Sequence, residues 1–454
     1  MALGRRKSEQ RPLWIAHDDL PRSPGHPFYA ALNRLLAESD FDRLVEELCA
    51  PYYADGQGRP GIPPGVYFRM LLVGYFEGIG SQRGIAWRCS DSLSLREFLG
   101  LAAGQASPDH SSLTVIRQRL PLMVHEQVFV QVLAIARKRH LLRGRAVAVD
   151  STTLEANAAM KSIVHRHSGD DWKQYLTHLA EAEGLKNPTD ADLRRFDRGR
   201  RKKVSNKQWR SATDPDSRIA RMKNGRTHLA YKAEHVVDLE TDIVLAATVR
   251  AADVGDTETL LASVITAQAA MVMSGSEAGI ESVVGDKGYH KAELLADCEE
   301  LGLRTYIPSK RERHRRRWAD KPASWEKAYR GNARRATGDH GKRLGKLRSE
   351  YVERSFAQVC VTGGARRTWI RGTDEIGKRY LISVAARNLG VIMRAVTGVG
   401  TARSLQGRKG ASVVAHDVNI TSNRFLVSWS RTKQVSLLSR RFAWRRTPTL
   451  RLAA

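Results

Sequence analysis

The sequence predicts an α/β protein: a mixed sheet flanked by helices, preceded by an all-α N-terminal region. Three stretches carry this reading. In Arg145-Ala146-Val147-Ala148-Val149-Asp150-Ser151-Thr152 an apolar run of buried-strand type closes on a carboxylate and two hydroxyls. In Glu281-Ser282-Val283-Val284-Gly285-Asp286-Lys287-Gly288-Tyr289 a second apolar run closes on Asp286. Between them, His228 to Asp238 and Ile243 to Arg250 alternate in polarity across the turn Glu240-Thr241-Asp242, the pattern of a β-hairpin. A charge at the mouth of a buried strand is costly unless something binds it, so Asp150 and Asp286 are the first candidates for chemistry.

The 454 residues are too many for one ordinary domain. Three parts are expected: a helical region over 1–140, the sheet-bearing region over 141–396, and a basic tail over 397–454 with the composition of a disordered segment. No apolar run reaches the roughly 18 residues that cross a bilayer, and the basic start Met1-Ala2-Leu3-Gly4-Arg5-Arg6-Lys7 leads into polar sequence, so a cytoplasmic, nucleoid-associated protein with no membrane partner is expected. Cys49, Cys89, Cys298 and Cys360 lie too far apart for a zinc site or disulfide framework. The 75 Lys+Arg against 48 Asp+Glu leave a net charge of +27, which favours a polyanionic partner, nucleic acid before membrane.

Taken in order, the first helix is expected through Ala30, Leu32, Leu35 and Leu36, and a second, apolar nearly all round, after Pro63-Pro64. Short helices follow around Ser81–Arg88 and Ser94–Leu99. Ser107-Pro108-Asp109 then caps a helix bearing Arg117 and Arg119, a pattern that fits a helix-turn-helix-like DNA contact. A long helix near Val124–His140 leads to the Asp150 strand. Residues 161–227 hold 17 Lys+Arg against 9 Asp+Glu and read as a solvated loop or a phosphate-contacting arm. After the hairpin come a helix over Glu258–Met273, the Asp286 strand, a helix over Lys291–Leu301 and a strand at Arg304–Pro308. Residues 310–348 form a second basic insertion, with 15 Lys+Arg against 4 Asp+Glu. A helix carrying Glu350 and Glu353 and an apolar helix over Arg379–Val396 complete the pattern.

Strand-Asp, hairpin, helix, strand-Asp, helix, strand, basic insertion, helix-Glu is the element order of an RNase H-like fold, in which such carboxylates meet at one end of the sheet. Three carboxylates in contact need cations between them. Hard oxygen ligands suit Mg²⁺ or Mn²⁺, and two ions roughly 3.5 to 4 Å apart activate an attacking oxygen and stabilise a leaving one at a phosphodiester. Glu353 competes with Glu350 and is favoured by its Val-Glu-x-x-Phe setting. Lys287 reads equally as a phosphate contact or a solvated side chain, and His228 and His235 as strand residues.

Pro108-Asp109-His110-Ser111-Ser112, Ala148-Val149-Asp150-Ser151-Thr152, Thr213-Asp214-Pro215-Asp216-Ser217-Arg218, Gly285-Asp286-Lys287-Gly288-Tyr289 and Val352-Glu353-Arg354-Ser355-Phe356 together resemble the landmarks of DDE transposases from bacterial insertion sequences. The resemblance implies that Asp150, Asp286 and Glu353 are the catalytic, metal-binding triad. It also implies that Tyr289 and Arg348 or Arg354 stand near the scissile phosphate. Such families often carry Lys about two turns after the Glu; Cys360 stands near that place here, with Arg366 or Arg367 as the candidate replacement. The implied activity is binding of double-stranded DNA at the element's terminal repeats, cleavage there, and joining to target DNA, by a homodimer in the synaptic complex. The alternatives are a nuclease of the same fold that does not join strands, and a DNA-binding protein that has lost catalysis.

Overall fold

The computed structural model describes residues 16, 27–54, 61–102, 104–200, 205–222, 225–309 and 316–402. The basic start, the basic residues at 201–203 and 310–315 and the tail from residue 403 lie outside the described residues.

Helices α1 (Pro27–Ala37), α2 (Phe41–Cys49), α3 (Pro64–Phe76), α4 (Gln82–Ser90), α5 (Leu93–Phe98), α6 (His110–Arg119) and α7 (Leu122–Lys138) come before the sheet. The apolar α3 is buried from Gly65 to Phe76. Arg69, inside that stretch, gives its guanidinium to both oxygens of Asp42 at 2.9 and 2.7 Å, so its burial leaves no stranded charge. Asp109 caps α6 as its position implies, accepting from the Ser111 amide at 2.9 Å. The short α2 has no counterpart in the sequence reading; Phe41, Val45 and Cys49 form its buried stripe among acidic neighbours.

The strands are β1 (Ala146–Glu155), β2 (Ile163–His165), β3 (Trp209–Ser211), β4 (Arg218–Arg221), β5 (Thr227–Asp238), β6 (Val244–Ala251), β7 (Ser282–Val284) and β8 (Arg304–Tyr306). The long β5 pairs antiparallel with β1 along one edge and with β4 and β6 along the other. β1 pairs parallel with β7, and β7 with β8. The resulting order, β6-β5-β1-β7-β8, is the RNase H-like mixed sheet.

The remaining helices are α8 (Trp172–Ala182), α9 (Asp190–Gly199), α10 (Asp256–Met273), α11 (Ala292–Glu300), α12 (Ala323–Thr337), α13 (Asp339–Phe356) and α14 (Thr373–Thr397). Successive side chains on a strand face opposite ways, so Glu234 and His235 of β5 mark the two faces. Glu234 accepts from Thr259 and Ser263 of α10. On the other face His235 bonds Ser355 of α13 at 2.9 Å and Tyr380 of α14 at 2.8 Å and stacks on Phe356. At the β8 edge, Asn332 of α12 bonds both the amide and the carbonyl of Ile307, at 3.0 and 2.7 Å.

Of the two readings of 161–227, the solvated loop is corrected. Its described part folds: α8 and α9 each start with a capping box, from Asp171/Gln174 and Thr189/Asp192, and meet over Leu176, Ala180 and Leu193. His165 stacks on Tyr175 beside buried Trp209, holding the β2–β3 pair to α8. The second basic segment also folds, into α12 and most of α13, because its charges lie on the outer faces of amphipathic helices. One continuous core joins the N-terminal helices to the sheet, with α14 packed against α3, α7 and β6. Among the described residues no helix is long and apolar enough to cross a membrane.

Two buried histidines make this core acid-sensitive. Burial pushes His235 down to about 3 and His125, bonded to Tyr67, down to about 4, from an ordinary 6.5. Below that ordinary value the unfolded chain takes up protons that the native chain refuses. Unfolding then gains up to about 1.4 kcal/mol per pH unit per histidine until the native pKa is reached. The urea midpoint should therefore fall between about pH 7 and about pH 5, and the fall should flatten in the His125→Gln/His235→Gln double variant. An equal fall in both proteins would assign the acid sensitivity to other groups.

Candidate active site

The parallel pairing of β1 with β7 sets the site. Ala148 is opposite Val284, the last paired residue of each strand. Asp150 and Asp286 each lie two positions further on, so the period of two brings both carboxylates to the same face of neighbouring chains. Asp150 Oδ1 accepts the amide of Ser151 at 2.8 Å, and Oδ2 is ion-paired with Arg348 of α13 at 2.6 Å. Asp286 caps a short turn over Lys287–Tyr289, accepting the Gly288 amide at 2.7 Å. Asp286, exposed Lys287, Arg348, Ser349 and Tyr306 border an open cleft of about 290 Å³.

Glu353 is on the helix that carries Arg348 and is exposed. The buried stripe of α13 runs through Leu344, Val352, Ser355 and Phe356. With about 100° of turn per residue, Arg354 and Glu353 leave that stripe on opposite flanks. Arg354 pairs at 3.1 Å with Asp242, in the β5–β6 turn beside the start of β1. No hydrogen bond or ion pair ties Glu353 to Asp150 or Asp286; the α13 side chain that reaches Asp150 is Arg348. Glu350, its competitor, is held by Arg354. Among the described residues no three His, Cys, Asp or Glu side chains converge closely enough to hold a metal ion.

Several side chains singled out from the sequence have different surroundings from those expected. Tyr289, expected near a phosphate, is fully buried and its hydroxyl donates to Glu234 at 2.7 Å; burial drives its pKa up and keeps it protonated. It pins the Asp286 turn to the core. Arg117, expected on a DNA-facing helix surface, is buried against Glu375 of α14 at 2.6 Å. Arg119 is exposed and lies over the Tyr53 ring. Arg354 serves Asp242 and Glu350. Cys360 is buried in a π-helical turn. Arg366 reaches β1, donating to Thr152 Oγ1 at 2.9 Å and the Thr153 carbonyl at 3.1 Å, two positions beyond Asp150 on the same face. Arg367 lies over Trp369 near Glu155.

Three residues next to the aspartates escaped the sequence reading: Glu234, Lys232 and Asp256. Lys232 is buried and ion-paired with Asp256 at 2.6 Å. Lys232 and Glu234 gave no signal, since charges at alternate positions of a strand read as its solvent side. Asp256 had none, since an acid in the first turn of a helix is ordinary.

The chemistry of Asp150 and Asp286 suits a hard divalent cation: two carboxylates beyond the ends of paired parallel strands, one of them balanced by the Arg348 guanidinium. The chain belongs to the DDE transposases. The family model described as transposase DDE domain matches residues 142–389, more than half of the chain, and one described as transposase domain (DUF772) matches residues 17–119. No curated protein and no solved structure matches the chain.

At Gly288 a side chain could enter only by displacing two carboxylates. A methyl group there would come within 2.8 Å of Asp286 Oδ1 and 2.9 Å of Asp256 Oδ2. Gly288→Ala should therefore displace the Asp286 and Asp256 carboxylates, lowering stability by less than about 1 kcal/mol and DNA cleavage by far more than that loss explains. Comparing melting with cleavage rate at a temperature where the variant stays folded checks this; unchanged cleavage would show the turn to be permissive.

Proposed function

We propose that the chain is a metal-dependent DNA transposase that binds the ends of its element, cleaves there, and joins the freed 3′-hydroxyl to target DNA. The observation that carries the reading is the pair Asp150 and Asp286 on adjacent parallel strands, facing the α13 that bears Glu353, in a chain of net charge +27. These three carboxylates would hold the metal, Mg²⁺ or Mn²⁺, which supplies positive charge to the attacking and leaving oxygens of the phosphodiester.

The chain's own residues do the rest. Asp150 and Asp286 are oriented by backbone amides and by the Tyr289 and Arg348 contacts, so little reorganisation is needed when substrate arrives. In this reading Lys287, exposed at the cleft, and Arg366, beside Thr152, bind phosphate oxygens and fix the backbone across the carboxylates; their positions support it. Arg348, once Asp150 is otherwise neutralised, is free to do the same. The nucleophile is water or a DNA hydroxyl, so no covalent protein–DNA intermediate forms. A homodimer would hold two element ends together.

Asp150→Asn, Asp286→Asn and Glu353→Gln should each lower cleavage and joining of labelled end DNA by at least about 10³-fold while duplex affinity stays within a few-fold of wild type. Full cleavage by any one of them removes that residue from the triad. A wild-type protein that binds DNA but never cuts it under Mg²⁺ or Mn²⁺ would sink the catalytic reading.

A further inference from the structure

Asp256, the first residue of α10, touches the segments that carry both aspartates. Its Oδ1 accepts from Ser151 Oγ at 3.0 Å, and Ser151 directly follows Asp150 on β1. The same oxygen is ion-paired with Lys232 Nζ at 2.6 Å. Its Oδ2 turns to the other side, where it and Asp286 Oδ1 both border the space beside Gly288. One carboxylate thus spans the gap between the Asp150 strand and the Asp286 turn, on the α10 face of the sheet.

Charge explains why this must be a carboxylate. Lys232 is buried, and its other contacts, the Val254 carbonyl at 3.1 Å and Thr259 Oγ1 at 3.4 Å, are neutral. Asp256 is its counterion. Glu234 shares Thr259 with Lys232, but of the two carboxylates Asp256 alone touches the ammonium; without it more of that positive field would reach Ser151 and the neighbouring Asp150, opposing a divalent cation held there.

We propose that Asp256 is a positioning residue of the metal centre: it sets Asp150 relative to Asp286 and cancels the charge of Lys232 so that the pair can take up a divalent cation. This rests on the transposase reading above. Asp256 acts through Ser151, Gly288 and Lys232 and touches neither phosphate nor the reacting atoms.

The test is Mn²⁺ binding to the full-length protein without DNA, followed by electron paramagnetic resonance of the free ion, alongside Mn²⁺-dependent cleavage and melting in EDTA. Asp256→Asn should raise the Mn²⁺ dissociation constant about ten-fold or more, raise the Mn²⁺ needed for half-maximal cleavage by the same factor, and regain much of the rate at saturating Mn²⁺. Lys232→Met/Asp256→Asn, which removes both charges, should recover most of the affinity; a purely structural role would leave it weak. If Asp256→Asn does not fold, the double variant and Ser151→Ala decide: Ser151→Ala should weaken Mn²⁺ binding by a smaller factor in the same direction. Wild-type affinity in Asp256→Asn, or no rescue in a folded double variant, overturns the proposal. Those results leave the active-site reading intact as long as Asp150→Asn loses Mn²⁺ binding. If Asp150→Asn and Asp286→Asn bind Mn²⁺ like wild type, it is the reading of the site that fails, and the proposal with it.

Discussion

The parallel ladder between β1 and β7 ends at Ala148 and Val284, and the rest of the protein is arranged around the two carboxylates just beyond it. There, on neighbouring chains, the fold sets Asp150 and Asp286 side by side, an arrangement that repulsion alone would open. Each is held by a local backbone amide, at Ser151 and at Gly288, and Asp150 also by Arg348. Arg348 thus supplies positive charge beside one of the two aspartates.

Adjacent residues of β5 brace this arrangement from opposite faces. Glu234 collects Tyr289, Thr259 and Ser263, tying the Asp286 turn to α10. His235, next in sequence and directly opposite Asp150 in the ladder, collects Ser355 and Tyr380, tying α13 and α14 to the sheet. Both are buried polar groups whose partners are side chains on other elements. A single such bond adds only about 1 kcal/mol, but a missing partner costs more than that, so these networks specify where the helices sit more than they strengthen the fold.

Asp150 and Asp286 were legible because a carboxylate that ends an apolar strand has no ordinary explanation, and the β5–β6 hairpin was legible from its alternation. The surroundings of Tyr289 and Arg117 were not. Each depends on one partner far away, 55 residues for Tyr289 and 258 for Arg117, and local pattern carries no information about either. Lys232 and Glu234 look like the solvent side of a half-exposed strand, which they would be if α10 did not cover that face. The arm over 161–227 shows the opposite failure: its Asp171-x-x-Gln174 and Thr189-x-x-Asp192 patterns announce two helices, and the density of charge around them drew attention away.

α14 belongs to both halves of the molecule, packed on α3 and α7 on one side and on β6 on the other, with Asn388 bonded to Val244 and Arg387 to Asp242. The helical half therefore does not hang from the sheet by a tether. The N-terminal helices and Asp150 are held at one distance and one rotation by the packing of α14. A change in the spacing between the two halves would need repacking of the core, where a tethered domain would need only a longer linker.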